Sequence, residues 1–279
     1  MASAANPDFS NAPLVPVRCA LLCSDTHLSH HRPALTRAFL AWLKANTLNS
    51  PQTPDALVLL GDLFDAWIGD DLLDCVGEAD TACVCEVLEL LRAINAHGIA
   101  IYIAHGNRDF LIGKKLANQC GAHLLHDPSV LVIDNGPRVA LTHGDALCTR
   151  DIGYQQLRQT VRNPRWQEDF LTKPLSARLA IAAELRAKSG MEKAEKAEDI
   201  MDVTIEEAQL LADRLRADIL LHGHTHRPGV SLMPNGKARW VLPDWEVDAS
   251  GALVRGGGLW VDSGGVRPVD CHGAFSPSQ

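Results

Sequence analysis

Short apolar runs, most of which end in polar residues, constrain the fold of this chain more than any other feature of its sequence. Five of them occur, at 19–28, 56–65, 99–109, 138–145 and 218–226. Each apolar part is too short for a helix and lacks the alternation of a strand with one exposed face, which is typical of strands buried on both faces. The runs therefore predict buried β-strands.

Between several of these runs, apolar residues recur at helical spacing. Residues 34–45 and 82–97 each place them along one stripe of a helix. Alternating strands and helices predict an α/β layered domain. Residues 236–279 alternate apolar and polar residues in places, which predicts further antiparallel strands that close a sheet.

The stretch 150–203 differs from the rest because it contains no strand-like run. It is rich in Ala, Leu, Glu, Lys and Arg, which favour helices. We expect a helical cap inserted between two parts of the core, 17–149 and 204–279. Residues 1–16 contain three prolines and several small polar residues, which predicts a disordered tail.

Charge and composition exclude several kinds of partner and site. The net charge is −8 and only 5% of residues are aromatic, so we expect no nucleic-acid partner, and a phosphate-bearing ligand needs a local site. The eight cysteines form no CxxC pair, which indicates reduced thiols in a cytosolic chain. The sequence begins with no secretory signal, and no run approaches the roughly 20 apolar residues of a membrane span.

Carboxylate, imidazole and amide side chains follow the predicted strands. Ligands bind outside the carboxyl ends of strands in open α/β sheets, so we expect these side chains to meet. They are Asp25, His27, Asp62, Asn107, His143, His224 and His226. Nitrogen and oxygen donors without thiolates favour Mn²⁺, Fe²⁺, Zn²⁺ or Mg²⁺. The set is large enough for two ions, which one shared carboxylate would hold about 3.5–4 Å apart.

The motifs that carry these residues, in chain order, are "SDTHL", "GDLFDAWIGDD", "HGNRDF", "HGD" and "HGHTHRP". They resemble the calcineurin-like metallophosphoesterases, whose pattern is D-x-H, G-D, G-N-H-[DE], H and G-H-x-H. The resemblance implies a layered β-sandwich flanked by helices. A metal-free binding scaffold of the same fold is the alternative from another class, but such scaffolds should have lost ligands, and here every expected position is filled.

One departure narrows the resemblance. Arg108 stands where most of the family has His. With this Arg, the motif "GDLFDAWIGDD" and the cap, residues 18–245 resemble one branch of the family, which cleaves UDP-2,3-diacylglucosamine in lipid A synthesis. That branch implies hydrolysis to UMP and 2,3-diacylglucosamine 1-phosphate by water that two Mn²⁺ ions per chain activate. The alternative is another soluble dimetal nucleotide-pyrophosphate or cyclic-nucleotide phosphodiesterase.

The resemblance also implies roles for individual residues. Asp25, His27, Asp62 and His226 would hold the first metal. Asp62 would bridge to a second metal, completed by Asn107, His143 and His224. Asn107 and Arg108 would contact the phosphates in catalysis. Further substrate contacts would come from Asp151, Ser189, Lys193, Lys196 and His224. Lys193 stands where better-known relatives have Asn, and "LPDWEVD" departs from their "LGDW". We expect His222 to be structural or to support the site without binding metal. Four other carboxylates are expected to lie in loops or to support the ligands: Asp65, Asp70, Asp71 and Asp109.

The chemistry of the leaving group also explains an Arg at position 108. Many phosphomonoesterases need an acid to protonate an alkoxide leaving group. Pyrophosphate cleavage expels a phosphate ester, which is far less basic and needs no proton donor. Arg cannot serve as an acid, but it can neutralise developing phosphate charge. Arg108 therefore predicts pyrophosphate cleavage over simple monoester cleavage.

The predicted cap carries an excess of Lys and Arg over 150–188, against the negative total. The excess is either an ordinary solvated face or a surface for anionic lipid headgroups, with the apolar side receiving acyl chains. The second interpretation places the chain as a peripheral protein on the cytoplasmic face of the inner membrane. We expect a monomer.

Overall fold

A computed structural model describes residues 12–75, 79–195, 202–270 and 272, with 79–80 and 186–195 described only as helix. The strands are β1 (Leu14–Val17), β2 (Ala20–Cys23), β3 (Ala56–Leu60), β4 (Ala100–Ala104), β5 (Ala122–Leu125), β6 (Ser129–Ile133), β7 (Arg138–Thr142), β8 (Ile219–His222), β9 (Gly229–Leu232), β10 (Ala238–Val241), β11 (Glu246–Val247), β12 (Leu253–Arg255), β13 (Gly258–Asp262) and β14 (Gly265–Val269). The helices are α1 (Pro33–Asn46), α2 (Ala79–Ala96), α3 (Lys114–Cys120), α4 (Ile152–Val161), α5 (Pro164–Leu171), α6 (Leu175–Glu195) and α7 (Ile205–Arg214).

Two six-stranded sheets form the centre of the molecule. Their strand orders are β14-β13-β2-β3-β4-β5 and β1-β6-β7-β8-β10-β9. Buried side chains from both sheets share one core, which includes Leu22, Val58, Leu141 and Leu221. A second core joins the outer face of the first sheet to α1, α2 and α3, and a third joins the other sheet to α7. The layered β-sandwich flanked by helices is therefore confirmed.

The five apolar runs contain β2, β3, β4, β7 and β8, as predicted. All five residues of β3 are buried, because the sheet is covered on both faces. Strands β2, β3 and β4 pair in parallel, so their carboxyl ends meet at one edge. The C-terminal strand β13 is antiparallel to β2 and β14, whereas β10 runs parallel to β8. The prediction of antiparallel strands there is therefore wrong for the pairing of β10 with β8.

The predicted boundary of the N-terminal tail at residue 16 is wrong. Leu14–Val17 forms β1, which pairs in parallel with β6. Val15 is buried in the core between the sheets, although Pro13 and Pro16 flank it. Proline is compatible with an edge strand because its missing N–H need not face a partner. The rest of the predicted tail, residues 1–11, lies outside the described residues.

The stretch predicted as a cap contains α4, α5 and α6 and, over its described part, no strand. Arg178 of α6 is buried and donates to the carbonyl oxygen of Ile68 at 2.6 Å. Its guanidinium also forms an ion pair with Asp71. These contacts tie α6 to the loop after β3. None of the described helices is both long and apolar enough to cross a membrane.

Candidate metal centre

The backbone at the strand ends adopts an unusual conformation. Five of the predicted ligands have positive φ, between 46° and 67°: Asp25, His27, Asp62, His224 and His226. This left-handed conformation costs about 1–2 kcal/mol for a residue other than glycine, and such strain clusters at functional sites. Five of the seven predicted ligands therefore occupy a backbone conformation that folding alone does not favour.

Backbone hydrogen bonds connect the loops that carry these residues. The N–H of Asp25 donates to the carbonyl of Gly61 at 3.1 Å, and the N–H of His27 donates to the carbonyl of Asp62 at 2.9 Å. The N–H of His224 donates to Oδ2 of Asp25 at 2.9 Å. The loops after β2, β3 and β8 are thus connected directly beside the predicted site.

The first group of candidate ligands consists of Asp25, His27 and His226, each with a ligand atom within 4.8 Å of the others. The Nε2 atoms of His27 and His226 lie 3.3 Å apart, and Nε2 of His226 lies 3.5 Å from Oδ1 of Asp25. Oδ1 of Asp25 is buried without a hydrogen-bond partner, whereas its Oδ2 accepts from Ser24 Oγ at 2.5 Å. Buried polar atoms normally have partners, so this convergence of donor atoms fits a cation.

The second group consists of Asp25, Asp62 and His143. Nδ1 of His143 faces the carbonyl of Leu60 at 3.0 Å, which directs Nε2 into the site, 3.2 Å from Oδ1 of Asn107. The same Asn107 oxygen lies 2.9 Å from Nδ1 of His224. All seven predicted ligands therefore lie together.

Asp25 is a member of both groups. Asp62, a member of the second group, also faces the first. Its Oδ2 is 3.8 Å from Nε2 of His27 and 3.7 Å from Nε2 of His143. Its Oδ1 accepts the backbone N–H of Arg108 at 2.7 Å. One oxygen is thus fixed by the backbone while the other faces an imidazole of each group. This is the geometry that a shared ligand requires.

Burial dominates the electrostatics of the centre. It raises the pKa of Asp62 to about 7, and the nearby Asp109 and Asp25 add to this effect although His143 opposes it. Burial and the facing His226 lower the pKa of His27 to about 3, against the attraction of Asp25. For His143, burial opposes the charge, but Asp62 and Asp25 raise its pKa to about 9. Carboxylates and imidazoles that lie this close together shift the pKa values of one another, and both are ligand types that suit a divalent cation.

Two buried carboxylates support the ligands without belonging to either group. Asp109 accepts the backbone N–H groups of Leu63 and Gly106, both at 2.8 Å, and so joins the loops after β3 and β4. Asp244 lies 3.3 Å from Nδ1 of His226 and accepts two hydrogen bonds from Arg255, at 2.5 and 2.6 Å. A carboxylate on the second nitrogen of a ligand imidazole fixes the orientation of the ring.

Sequence reasoning missed the role of Asp244. It lies just beyond β10, and a carboxylate after a strand is the same signal that identified Asp62. By contrast His222, in the "HGHTHRP" motif, belongs to neither group of candidate ligands. Its Nδ1 faces the carbonyl of Gly223 at 2.8 Å, and burial lowers its pKa to about 4.

Two glycines allow the ligand loops to approach each other. A Cβ atom on Gly223 would lie 2.2 Å from Oδ2 of Asp25, and one on Gly106 would lie 2.0 Å from Oδ1 of Asp62. No side chain fits at those distances. Both glycines belong to motifs singled out in the sequence, "HGHTHRP" and "HGNRDF".

A cavity of about 100 Å³ lies beside the centre, between the core and the helices α4–α6, which we call the insertion. We call it the metal-side cavity. Asn107 and Arg108 line it from the core, and Tyr154 and Arg158 from α4. Asp65 and Arg162 also line it. The remaining walls are apolar and include Phe110, Leu157, Val161, Ala182 and Leu185. Polar groups suited to a phosphate thus face an apolar wall.

The remaining predicted substrate contacts lie elsewhere or are not described. Oδ1 of Asp151 accepts the N–H of Tyr154 at 3.1 Å and so caps α4; Asp151 does not line the metal-side cavity. Ser189 and Lys193 fall in α6 where side chains are not described, and Lys196 lies outside the described residues.

Comparison with known proteins agrees with this geometry. Residues 20–228 match the family model described as calcineurin-like phosphoesterase. The chain is 44% identical over 252 residues to a UDP-2,3-diacylglucosamine hydrolase of Bordetella pertussis, covering 89% of this chain and 93% of that protein. It is also 44% identical over 228 residues to a protein of the same name from Cellvibrio japonicus, covering 81% and 90%. A dimetal phosphatase from Danio rerio aligns over 88% of this chain and 92% of its own, at 13% identity and a TM-score of 0.43.

The match to the family model spans most of the chain, and the two relatives align over most of theirs. The matched range, 20–228, contains the motifs whose side chains meet at the strand ends. This chain therefore belongs to the calcineurin-like phosphoesterase family.

Proposed function

We propose that this chain hydrolyses the pyrophosphate bond of UDP-2,3-diacylglucosamine, giving UMP and 2,3-diacylglucosamine 1-phosphate in lipid A synthesis. One observation carries the proposal: the candidate metal centre opens towards a cavity with Arg108 on its core side and apolar side chains on the insertion side. A lipid-linked diphosphate needs both surfaces. The names of the relatives support the same substrate.

The proposed ligand sets extend the two groups with Asn107 and His224. Asp25, His27 and His226 would hold one cation, and Asn107, His143 and His224 the other. Asp62 would be shared, because its Oδ2 faces both groups. Two divalent cations held there, which we propose to be Mn²⁺, supply Lewis-acid activation of water and neutralise phosphate charge.

Asn107 and Arg108 are the proposed catalytic contacts of the protein itself. Both line the metal-side cavity, and the backbone of Arg108 is fixed on Asp62. The guanidinium can bind phosphate oxygens with two parallel hydrogen bonds and so stabilise charge that develops on the leaving phosphate ester. It cannot donate a proton, which suits this leaving group and not an alkoxide.

The insertion is the proposed lipid-binding part. Leu157 and Val161 of α4 and Leu185 of α6 contribute to the apolar wall and would contact acyl chains. Ile152 and Leu179 are 63% and 47% exposed, on a stretch rich in Lys and Arg. Such a surface suits peripheral binding to anionic lipid at the cytoplasmic face of the inner membrane. Asp151, Ser189, Lys193 and Lys196 stay predictions as substrate contacts, as does the monomeric state.

The decisive experiment offers the Mn²⁺-loaded protein UDP-2,3-diacylglucosamine and, in parallel, UDP-N-acetylglucosamine without the acyl chains. We expect UMP from the acylated substrate only. Equal release from both would favour a soluble nucleotide-pyrophosphate hydrolase. Hydrolysis in ¹⁸O water identifies the phosphorus attacked: label in UMP places attack at the nucleotide-proximal phosphorus, and label in the lipid phosphate reverses that assignment.

A further inference from the structure

A second cavity adjoins the insertion and shares only Arg158 and Arg162 with the metal-side cavity. Its other walls come from α3, β5, His105 and residues 126–127, so we call it the α3–β5 cavity. None of the seven candidate metal ligands lines it. Its volume is about 740 Å³, which falls in the range of small-molecule binding sites.

Positive charge predominates in the lining. Lys114, Arg158 and Arg162 contribute three cations, and the exposed imidazoles of His123 and His126 add hydrogen-bond donors. Asp127 is the one acid in the lining. Its Oδ2 already accepts the N–H of His143 at 3.1 Å. The cavity is thus a local positive site on a chain whose net charge is −8.

The two arginines are only partly committed to other partners. Both face the buried Asp145, with N···O distances of 2.8 Å for Arg158 and 3.8 Å for Arg162, so one carboxylate offsets two guanidinium groups. Arg162 also donates to the carbonyl of Gly106 at 2.9 Å, and its Nε is buried without a partner. Across the described part of the chain, Lys114 forms no ion pair, whereas its neighbour Lys115 pairs with Asp74 at 2.5 Å.

From this arrangement we infer that the α3–β5 cavity is a second binding site, for a phosphate-bearing anion. Guanidinium, ammonium and imidazole groups that converge on one space are the donors that bind phosphate oxygens best. The cavity exceeds the size of inorganic phosphate, so it also accommodates a phosphate with an organic group attached. This site is separate from the proposed hydrolysis and does not depend on it.

The test measures binding of inorganic phosphate, UMP and uridine by calorimetry, using the full chain loaded with metal and, in parallel, its Asp62→Ala variant. The Asp62→Ala variant removes phosphate binding that depends on the metal centre, whatever reaction that centre performs. We expect phosphate and UMP to bind this variant and uridine not to bind. Equal affinities would identify free phosphate as the ligand, and tighter binding of UMP would identify a nucleotide.

Matched variants locate the binding, each made in the Asp62→Ala background. We expect Lys114→Ala to weaken phosphate binding about tenfold, the effect of losing one charge-assisted contact, and addition of His126→Ala to weaken it further. Lys115→Ala is the control, because Lys115 lies one position away and outside the cavity lining. The inference is overturned if Asp62→Ala binds no phosphate, or if Lys114→Ala and Lys115→Ala bind it equally well.

Discussion

The metal centre and the insertion are positioned in different ways. In the centre, main-chain groups fix the ligands: Asp62 accepts the N–H of Arg108, and Asp25 accepts that of His224. The insertion is connected to the core largely by side chains. Arg178 donates to the carbonyl of Ile68, and the hydroxyl of Tyr154 donates to the carboxylate of Asp145. A site that the backbone fixes tolerates little change. A domain attached through side chains can be altered one contact at a time, so the two functions should be separable by mutation.

Asp62→Ala should have the largest effect on the metal centre. It removes the carboxylate that faces both groups of ligands, so we expect hydrolysis of the lipid substrate and of a soluble phosphodiester to fall together. The loss of a carboxylate that only supports a ligand already costs about 10–100-fold, so we expect the decrease here to exceed about 100-fold. Steady-state rates on bis-p-nitrophenyl phosphate and on the acylated nucleotide measure both. A folded Asp62→Ala protein that retains either activity would contradict the two-metal centre.

Asp244→Asn is the next largest change. The amide keeps the shape but loses the charge that orients His226 and binds Arg255, so we expect metal affinity to fall by about 10–100-fold. Competition with a chelating dye measures that affinity directly. Asp248→Asn provides the comparison, since Asp248 is an exposed loop carboxylate that accepts hydrogen bonds from Ser250. Equal metal affinity of the two variants would remove Asp244 from the support of His226.

Arg178→Met tests the insertion alone. It leaves the carbonyl of Ile68 without its donor and breaks the pair with Asp71, so we expect α6 to be held less firmly and kcat/KM for the acylated substrate to fall about tenfold, as for loss of a hydrogen bond to a charged group. Hydrolysis of bis-p-nitrophenyl phosphate should stay within about twofold. Arg165→Met, on an exposed position of α5, is the control. A parallel loss of both activities would show that the two regions are not separable.

The smallest expected effect is the pH dependence of the stability that the Arg178–Asp71 ion pair contributes. Arg178 holds the pKa of Asp71 below its usual value. A carboxylate whose pKa is lower in the folded state stabilises that state above its unfolded pKa, and loses this contribution as pH falls through the folded pKa. The difference in unfolding free energy between wild type and Arg178→Met should therefore be constant from pH 5 to 8 and shrink below about pH 4. Urea titrations at each pH measure this difference. Because the Asp71 side chain is 48% exposed, we expect the difference to decrease by well under 1 kcal/mol between pH 5 and the acidic limit.

The same contrast explains what the sequence could predict. The ligands lie at the ends of buried strands, and parallel pairing alone brings β2, β3 and β4 to one edge. The meeting of the residues after these three strands was therefore predictable from apolar runs followed by polar residues. The histidines after β7 and β8 lie in the second sheet, and their approach depends on how the two sheets pack. Asp244 follows β10 and carries the same signal, but its contact with His226 depends on how the chain returns after that strand. Strand β1 was missed for a similar reason: its prolines resemble a tail, and only pairing with β6 orders it.

The contacts of the insertion were also unpredictable. Nothing in the spacing of Arg178 distinguishes it from the exposed basic residues around it, yet it is 2% exposed and bonded to the core. Long side chains can reach many partners, so a helix rich in Arg and Lys does not reveal which of them is buried. Only the three-dimensional arrangement separates Arg178 from its neighbours.

The tight packing at Gly106 and Gly223 affects how easily evolution can disable this centre. Each glycine leaves room for a hydrogen atom beside a carboxylate and for nothing larger. A single methyl group added by Gly106→Ala or Gly223→Ala would displace Asp62 or Asp25 while every ligand residue stayed in the sequence. The number of positions at which one mutation would disrupt this site therefore exceeds the number of candidate metal ligands. A homologue with all seven candidate ligands intact can still lack a working site.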